Sequence, residues 1–293
     1  MNTAKSLIVG ANGQVGAAIL STLGDHALGA GRVSTADLPL SVDLVAMARR
    51  PALASELLAS LPLDAVYCVG GATDVERCES DVDWAMETNC YGPAALAAAA
   101  SHLPFVYFST EYVFDGVQGP YTETDPTNPL SVYGRSKFEG EQRILDAHPN
   151  PLVLRTTVVY GPDRQRKSFL YTLKRLLTSG QTMRVPVDQI STPTYNEDLA
   201  SATVELVRLG ASGIFHVCGP DVLSRYDFAL QAVQILDLDA SLIKGVTTAE
   251  LNQKAPRPLN AGLLTEKLRK ILHHTHIRTN AQAIEAWRRQ ESA

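Results

Sequence analysis

Short apolar runs rich in Val, Ile and Tyr alternate with Ala- and Leu-rich stretches of helical period through the first half of the chain. Residues 6–9, 65–69, 105–109 and 152–156 have the length and composition of strands, and 26–30 is a weaker run of the same kind. Residues 15–23, 51–61 and 133–147 read as helices, and 82–100 as a long helical stretch interrupted near Gly92-Pro93. Pro51 suits the first turn of its helix, where a missing N–H leaves no bond unmade. Strands apolar on both faces and separated by helices predict an α/β fold with a parallel sheet covered on both sides.

Beyond residue 160 the alternation loosens. Residues 169–179 and 199–209 are amphipathic helices, the second preceded by Asn196 as its cap. A short strand is expected at 214–217, a helix at 226–236, and an extended breaker at Pro256-Arg257-Pro258. The expected organisation is a sheet domain over 1–160, with 187–212 returning to it, and a smaller, interleaved mixed α/β domain over 161–293.

A chain of 293 residues with 45% hydrophobic and 19% charged positions is globular and long enough to need no staples. The net charge of −5, without a basic block, argues against nucleic acid as a partner. No run approaches the roughly 18 apolar residues of a membrane span, and the first residues lack the pattern of a secretory signal. A cytoplasmic protein without a membrane partner is expected. Cys68, Cys78, Cys90 and Cys218 form no CxxC pair and read as reduced, partly buried thiols. His273-His274-Thr275-His276 reads as a solvated cluster, so no metal site is expected. Gly-x-Ser-x-Gly is absent, which leaves acyl transfer without support.

Gly10-Ala11-Asn12-Gly13-Gln14-Val15-Gly16 joins the first strand to the first helix. Glycines at this spacing permit a tight turn and close approach of a ligand to the backbone. The helix start then offers free N–H groups and a positive dipole end to a pyrophosphate. The expected fold is therefore a Rossmann-type doubly wound sheet that binds a dinucleotide. The acid usually found about 20 residues on, for the ribose 2′-hydroxyl, is missing; Gly29-Ala30-Gly31-Arg32 stands there, and Asp37 is too distant to replace it. A guanidinium matches a 2′-phosphate, so Arg32 favours NADPH, with NAD as the other candidate.

Tyr133 and Lys137 lie four apart on a helix and so share a face. A phenol titrates near 10 in water, too high for efficient proton exchange near neutrality. An ammonium one turn away would lower that value. The preceding strand ends in Phe108-Ser109-Thr110, which places hydroxyls at the sheet's carboxyl edge, where ligands of such sheets bind.

These three elements together resemble the extended short-chain dehydrogenase/reductase superfamily, and the finer motifs resemble the dTDP-4-dehydrorhamnose reductase family. The matching stretches run through nearly the whole chain: Gly10 to Gly16, Asp74-Val75-Glu76-Arg77-Cys78-Glu79, Ser109 to Gly116, Asn128 to Lys137, Leu154 to Gly161, Asp188-Gln189 with Pro193-Thr194, and Arg257-Pro258-Leu259-Asn260. The resemblance implies Thr110, Tyr133 and Lys137 as the catalytic set. It implies Gly10, Asn12, Gly13, Gln14, Val15 and Gly16 around a pyrophosphate, Asp43 and Leu44 by the adenine, and Gly70, Gly71 and Ala72 along the dinucleotide. Arg155 and Thr156 would lie near the nicotinamide, and Asp188, Gln189, Pro193, Thr194 and Arg257 on the nucleotide-sugar side.

This chain departs from the family at three places. Ser-Thr-Asp-Tyr has become Ser109-Thr110-Glu111-Tyr112, putting Glu111 beside the reacting centre. Where Trp often follows Arg-Thr-Ser, the chain has Thr157 and Val158, which removes a wall of the sugar pocket worth about 1–3 kcal/mol of discrimination. Arg-Pro-x-x-Ser has become Arg257-Pro258-Leu259-Asn260-Ala261.

The resemblance implies an NADPH-dependent reductase of a 4-keto group on a nucleotide-linked deoxysugar, in dTDP-rhamnose-type biosynthesis, and a homodimer. Two other readings stay open: an epimerase with tightly bound NAD, and a non-catalytic NADP-binding regulatory subunit. Dehydratases of the superfamily usually carry Asp-Glu after the threonine, unlike Glu111-Tyr112 here. The basic stretch Arg164-Gln165-Arg166-Lys167 is either a solvated loop or a contact for a substrate diphosphate.

Overall fold

A computed structural model describes residues 4–292. Its strands are β1 (Lys5–Val9), β2 (Ala27–Gly31), β3 (Leu40–Ser41), β4 (Leu63–Cys68), β5 (Phe105–Thr110), β6 (Leu152–Thr156), β7 (Val159–Tyr160), β8 (Met183–Pro186), β9 (Ile190–Ser191), β10 (Thr194–Tyr195), β11 (Gly213–His216), β12 (Leu223–Ser224) and β13 (Ile243–Val246). The helices are α1 (Gln14–Leu23), α2 (Leu44–Arg49), α3 (Ala52–Ala59), α4 (Val75–Ser80), α5 (Val82–Met86), α6 (Gly92–Ala99), α7 (Val132–Ala147), α8 (Phe169–Thr178), α9 (Asn196–Arg208), α10 (Arg225–Ile235), α11 (Glu266–Ile271) and α12 (Asn280–Ser292).

Seven parallel strands form one sheet in the order β11-β6-β5-β4-β1-β2-β3. This is the Rossmann-type arrangement expected from the alternation of apolar runs. Strand order reverses between β1 and β4, and the crevice outside such a reversal is where open α/β sheets hold ligands. Alternate side chains of each strand enter opposite layers. Ile8, Tyr67, Phe108 and Leu154 pack with Ile19 of α1 and Leu199 and Leu206 of α9. Leu7, Val66, Tyr107 and Val153 pack with Met47, Leu58, Leu96 and Ile144 of α2, α3, α6 and α7. A separate cluster joins Tyr160, Leu170, Phe228 and Trp287 across α8, α10 and α12. Among the described residues no helix is long and apolar enough to cross a membrane. All four cysteines are free and buried.

Two local expectations are corrected. The helix expected from residue 199 begins at Asn196, which is its first helical residue rather than its cap. Its amide instead donates to the Pro162 carbonyl across 2.7 Å, a contact invisible in a local pattern. The stretch 82–100 is not broken at Gly92-Pro93: α5 runs into α6 through a π-helical turn over Glu87–Tyr91. Pro93 lies directly after that π-helical turn. A Cβ at Gly92 would strike the Leu44 carbonyl, so glycine serves a close helix contact there.

Candidate active site

The carboxyl ends of β1, β4, β5 and β6 open into one cleft of about 640 Å³, lined on its other side by Tyr133 and Lys137 of α7. Gly10 turns the chain away from β1 at φ +90°, and a Cβ there would stand 2.5 Å from the Gly70 nitrogen. Gly16 lets α1 fold back on the same turn, since a Cβ would overlap the Gly10 carbonyl. Gly13 caps α1 without a side-chain acceptor, so the helix's first amides stay free, as an anion site requires. Gly10, Asn12, Gly13, Gln14 and Val15 line the cleft, together with Arg32, Asp43, Leu44, Gly70 and Gly71. Asp43 also caps α2, accepting from the Val45 and Ala46 amides at 2.9 and 3.3 Å.

Gly16 and Ala72, both expected at the dinucleotide, stand behind the lining. Ala72 is clamped instead: its N–H donates to Asn89 Oδ1 at 2.8 Å, and its carbonyl accepts from Asn89 Nδ2 at 3.1 Å. Asn89 Nδ2 also donates to Ser136 Oγ at 2.9 Å, which ties the Gly70-Gly71 loop to α7. Sequence reasoning missed Asn89; a lone Asn in an apolar helical stretch, three residues before Gly-Pro, was its only signal.

Ser131 starts α7 by accepting from the Gly134 amide at 3.1 Å, which sets Tyr133 in the first turn. Lys137 Nζ is buried, donates to the Phe108 carbonyl at 2.8 Å, and lies against Gly71. Burial lowers its pKa to about 8. The expectation that the lysine acidifies the phenol is not met. Burial pushes the Tyr133 phenol well up, and nearby Glu111 pushes the same way. At neutral pH that phenol is protonated.

Thr110, Glu111 and Val158 join Tyr133 at this end of the cleft. Thr110 Oγ1 donates to Glu111 Oε2 at 2.8 Å, and burial pushes the Glu111 carboxyl above its usual range. Val158 sits at φ +42°, a backbone region that β-branched residues avoid, in the wall of the cleft. The hydroxyls of Thr88, Ser109 and Thr157 line the cleft, buried and without partners. Buried hydroxyls are normally satisfied, so three orphans in one cavity mark a ligand's place.

Several residues expected at the site are elsewhere. The Arg155 side chain does not reach the cleft; it is buried against Glu141 of α7, and only Thr156 of that pair lines the cavity. Asp188 accepts from the backbone and hydroxyl of Thr248, and Gln189 Nε2 donates to the same hydroxyl, so both brace a remote loop. Thr194 donates to the Thr192 carbonyl at 3.1 Å, and neither it nor Pro193 lines the cleft. Arg257 pairs with Glu76 at 2.8 Å and donates to Tyr112 Oη at 3.3 Å, one residue behind the wall. The 163–167 loop leans on the glycine turn, with Gln165 Nε2 donating to the Asn12 carbonyl at 2.9 Å.

Arg225, the first residue of α10, was not anticipated. It is half-buried, lines the cleft near Glu111 and Tyr112, and forms no ion pair within 4 Å among the described residues. Nothing in its local sequence distinguishes it from a surface arginine.

The profile of the RmlD substrate binding domain matches residues 4–290. A probable low-salt glycan biosynthesis reductase of Haloferax volcanii is 35% identical over 265 residues, covering 86% of this chain and 87% of its own. A dTDP-4-dehydrorhamnose reductase of Aggregatibacter actinomycetemcomitans is 32% identical over 283 residues, 91% of this chain and 92% of its own. The crystal structure of a Bacillus anthracis dTDP-4-dehydrorhamnose reductase in complex with NADP superposes with a TM-score of 0.87 at 24% identity, over 98% of this chain and 99% of that one.

Proposed function

The chain belongs to the RmlD substrate binding domain family of extended short-chain dehydrogenase/reductases, and on that premise we propose that it is an NADPH-dependent reductase of a 4-keto group on a nucleotide-linked deoxysugar. It is an oxidoreductase of the NAD(P)-dependent kind, with NADP(H) as its cofactor. The observation that carries the finer reading is that Thr110, Tyr133 and Lys137 line the same cleft as the glycine turn. The glycine cradle and the orphan hydroxyls of Thr88, Ser109 and Thr157 suit a polar dinucleotide.

The amides of the Gly10–Val15 turn would hold the pyrophosphate, Arg32 the 2′-phosphate, and Asp43 and Leu44 the adenine side. Bound there, the dinucleotide supplies the hydride that the carbonyl carbon receives. Tyr133, protonated at neutral pH, gives its proton to the developing alkoxide. Lys137, fixed by the Phe108 carbonyl beside Gly71, holds a ribose hydroxyl. Thr110 hydrogen-bonds the reacting oxygen, and Arg225 meets the diphosphate of the sugar nucleotide. The sheet domain over 1–160 carries the cofactor in this reading, and the interleaved 161–293 segment carries the sugar.

The test is to mix the purified protein with NADPH and a dTDP-4-keto-6-deoxysugar and follow the absorbance of the reduced nicotinamide. Loss of that absorbance with formation of the hydroxy-sugar is expected. Cofactor binding without turnover of any nucleotide keto-sugar would overturn the reading in favour of a regulatory protein.

A further inference from the structure

Thr110 closes β5, and Glu111 opens the short turn that follows it. Both are nearly sealed from solvent, at 4% and 6% exposure, yet both touch the cleft. The Thr110 hydroxyl donates to Glu111 Oε2 across 2.8 Å and accepts from the Tyr112 amide at 3.3 Å, in the cleft that Tyr133 also lines. One hydroxyl thus joins a buried carboxyl to the end of the cleft that holds Tyr133. A hydroxyl has one hydrogen and two lone pairs. While that hydrogen is committed to an ionised carboxylate, Thr110 can only accept, and it has nothing to offer an oxygen that becomes negative.

We propose that Glu111 is a positioning residue acting through Thr110: as a carboxylic acid it donates to the Thr110 hydroxyl and frees that hydroxyl's hydrogen for the reacting oxygen, and as a carboxylate it withdraws it. The proposal rests on the reading of Thr110 and Tyr133 as the reducing site. Passing from carboxylate to acid takes up one proton from solvent at Glu111; that proton stays on the carboxyl and is donated in a hydrogen bond to the Thr110 oxygen, while the Thr110 hydrogen, still on its own oxygen, turns to the substrate.

The surroundings set both forms within reach. Burial favours the acid, whereas the neighbouring Thr157 and Thr110 hydroxyls and, more weakly, Arg225, facing from α10, favour the carboxylate. The other titratable groups facing Glu111 are Tyr112 beside it, Tyr133 of α7, and Cys218 beyond β11. All three are neutral at pH 7, since burial holds each above its ordinary value.

The experiment pairs pH profiles with an infrared titration of the substrate-free protein. In the wild-type enzyme kcat should fall about tenfold per pH unit once Glu111 ionises. Glu111→Gln, whose amide N–H donates to Thr110 at every pH, should lose that fall while KM for NADPH stays within about twofold. The protonated-carboxyl band absent from Glu111→Gln should disappear over the same pH interval in the wild type. Thr110→Val, which removes the donor to the carboxylate, should move the loss of that band to higher pH. A Glu111→Gln profile superimposable on the wild type would overturn the proposal, as would a band indifferent to Thr110→Val. If Glu111→Gln fails to fold, the Thr110→Val titration decides alone. A wild type with no turnover sinks the reductase reading instead, and the infrared result then stands on its own.

Discussion

Arg155 of β6 and Glu141 of α7 meet as a two-pronged ion pair, with Nε to Oε1 at 2.9 Å and Nη2 to Oε2 at 2.7 Å. Their side chains are 2% and 0% exposed. Glu141 stands one helical turn beyond Lys137, which stands one turn beyond Tyr133, so the pair pins the rotation of the helix that carries Tyr133 and Lys137. The guanidinium also lies 5.1 Å from the Phe114 ring. Its charge adds to burial in holding the His216 imidazole down to about 3, neutral at physiological pH.

Removing one partner leaves the other charge buried and alone, which costs about 3–5 kcal/mol. Glu141→Gln and Arg155→Met should each destabilise by that order in denaturant unfolding. The double variant Glu141→Met/Arg155→Met should lose much less than the sum, because no orphan charge remains. Strict additivity in the cycle would show that the two side chains are not coupled.

Tyr133→Phe keeps the ring edge-on to Tyr112, with centroids now 5.3 Å apart, and deletes the proton. The expected outcome is a fall in kcat of about 10²–10⁴-fold with an unchanged NADPH dissociation constant. Single-turnover absorbance and equilibrium binding measure the two. A variant within tenfold of wild type would remove the phenol from its role.

Arg32 is exposed and lines the cleft together with Asp43 and Leu44, and no carboxylate competes for it in the ion pairs of the described residues. Arg32→Asp should raise KM for NADPH about 10–100-fold, the worth of a charged hydrogen bond, and leave KM for NADH level or lower. Equal losses for both cofactors would place the guanidinium off the 2′-phosphate.

Arg225→Gln should raise KM for the nucleotide keto-sugar about tenfold or more and leave KM for NADPH alone. Dependence on salt should weaken in the variant, since one charge–charge contact has gone. An effect confined to NADPH would assign Arg225 to the other ligand.

The sheet was legible because β4, β5 and β6 are buried on both faces, and nothing but a covered strand tolerates such apolar runs. The glycine turn and the Tyr133–Lys137 spacing were legible because backbone clearance and helical period are local constraints. Asn89, Arg225 and the Arg155–Glu141 pair were not, since each acts on a different element of the fold, beyond the reach of a local pattern. Helix α12 was hidden by its polar composition: it seals a core with only Ala283, Ile284 and Trp287, all wholly buried. The strained φ of Val158 was equally silent, because tertiary packing imposes it against the residue's own preference.

Glu205 of α9 has a carboxylate that accepts from three successive amides, His273 at 2.6 Å, His274 at 2.9 Å and Thr275 at 2.7 Å. Burial pushes this carboxyl up, but the hydrogen bonds outweigh it and leave the pKa at about 2. An unfolded glutamate titrates near 4.3, so the folded state holds the ionised form more tightly. A depressed carboxyl contributes stability that is complete above its unfolded value and is lost as pH falls toward its folded one. Asp198, earlier on the same helix, is pushed the opposite way by burial, so the acid dependence of the whole protein mixes both signs. The difference between wild type and Glu205→Gln isolates one. It should be on the order of 2–3 kcal/mol at neutral pH, hold level down to about pH 5, and narrow steadily between about pH 4 and 2. A gap in unfolding free energy that stayed constant across that acid interval would mean that Glu205 holds the 273–275 backbone by shape rather than by charge.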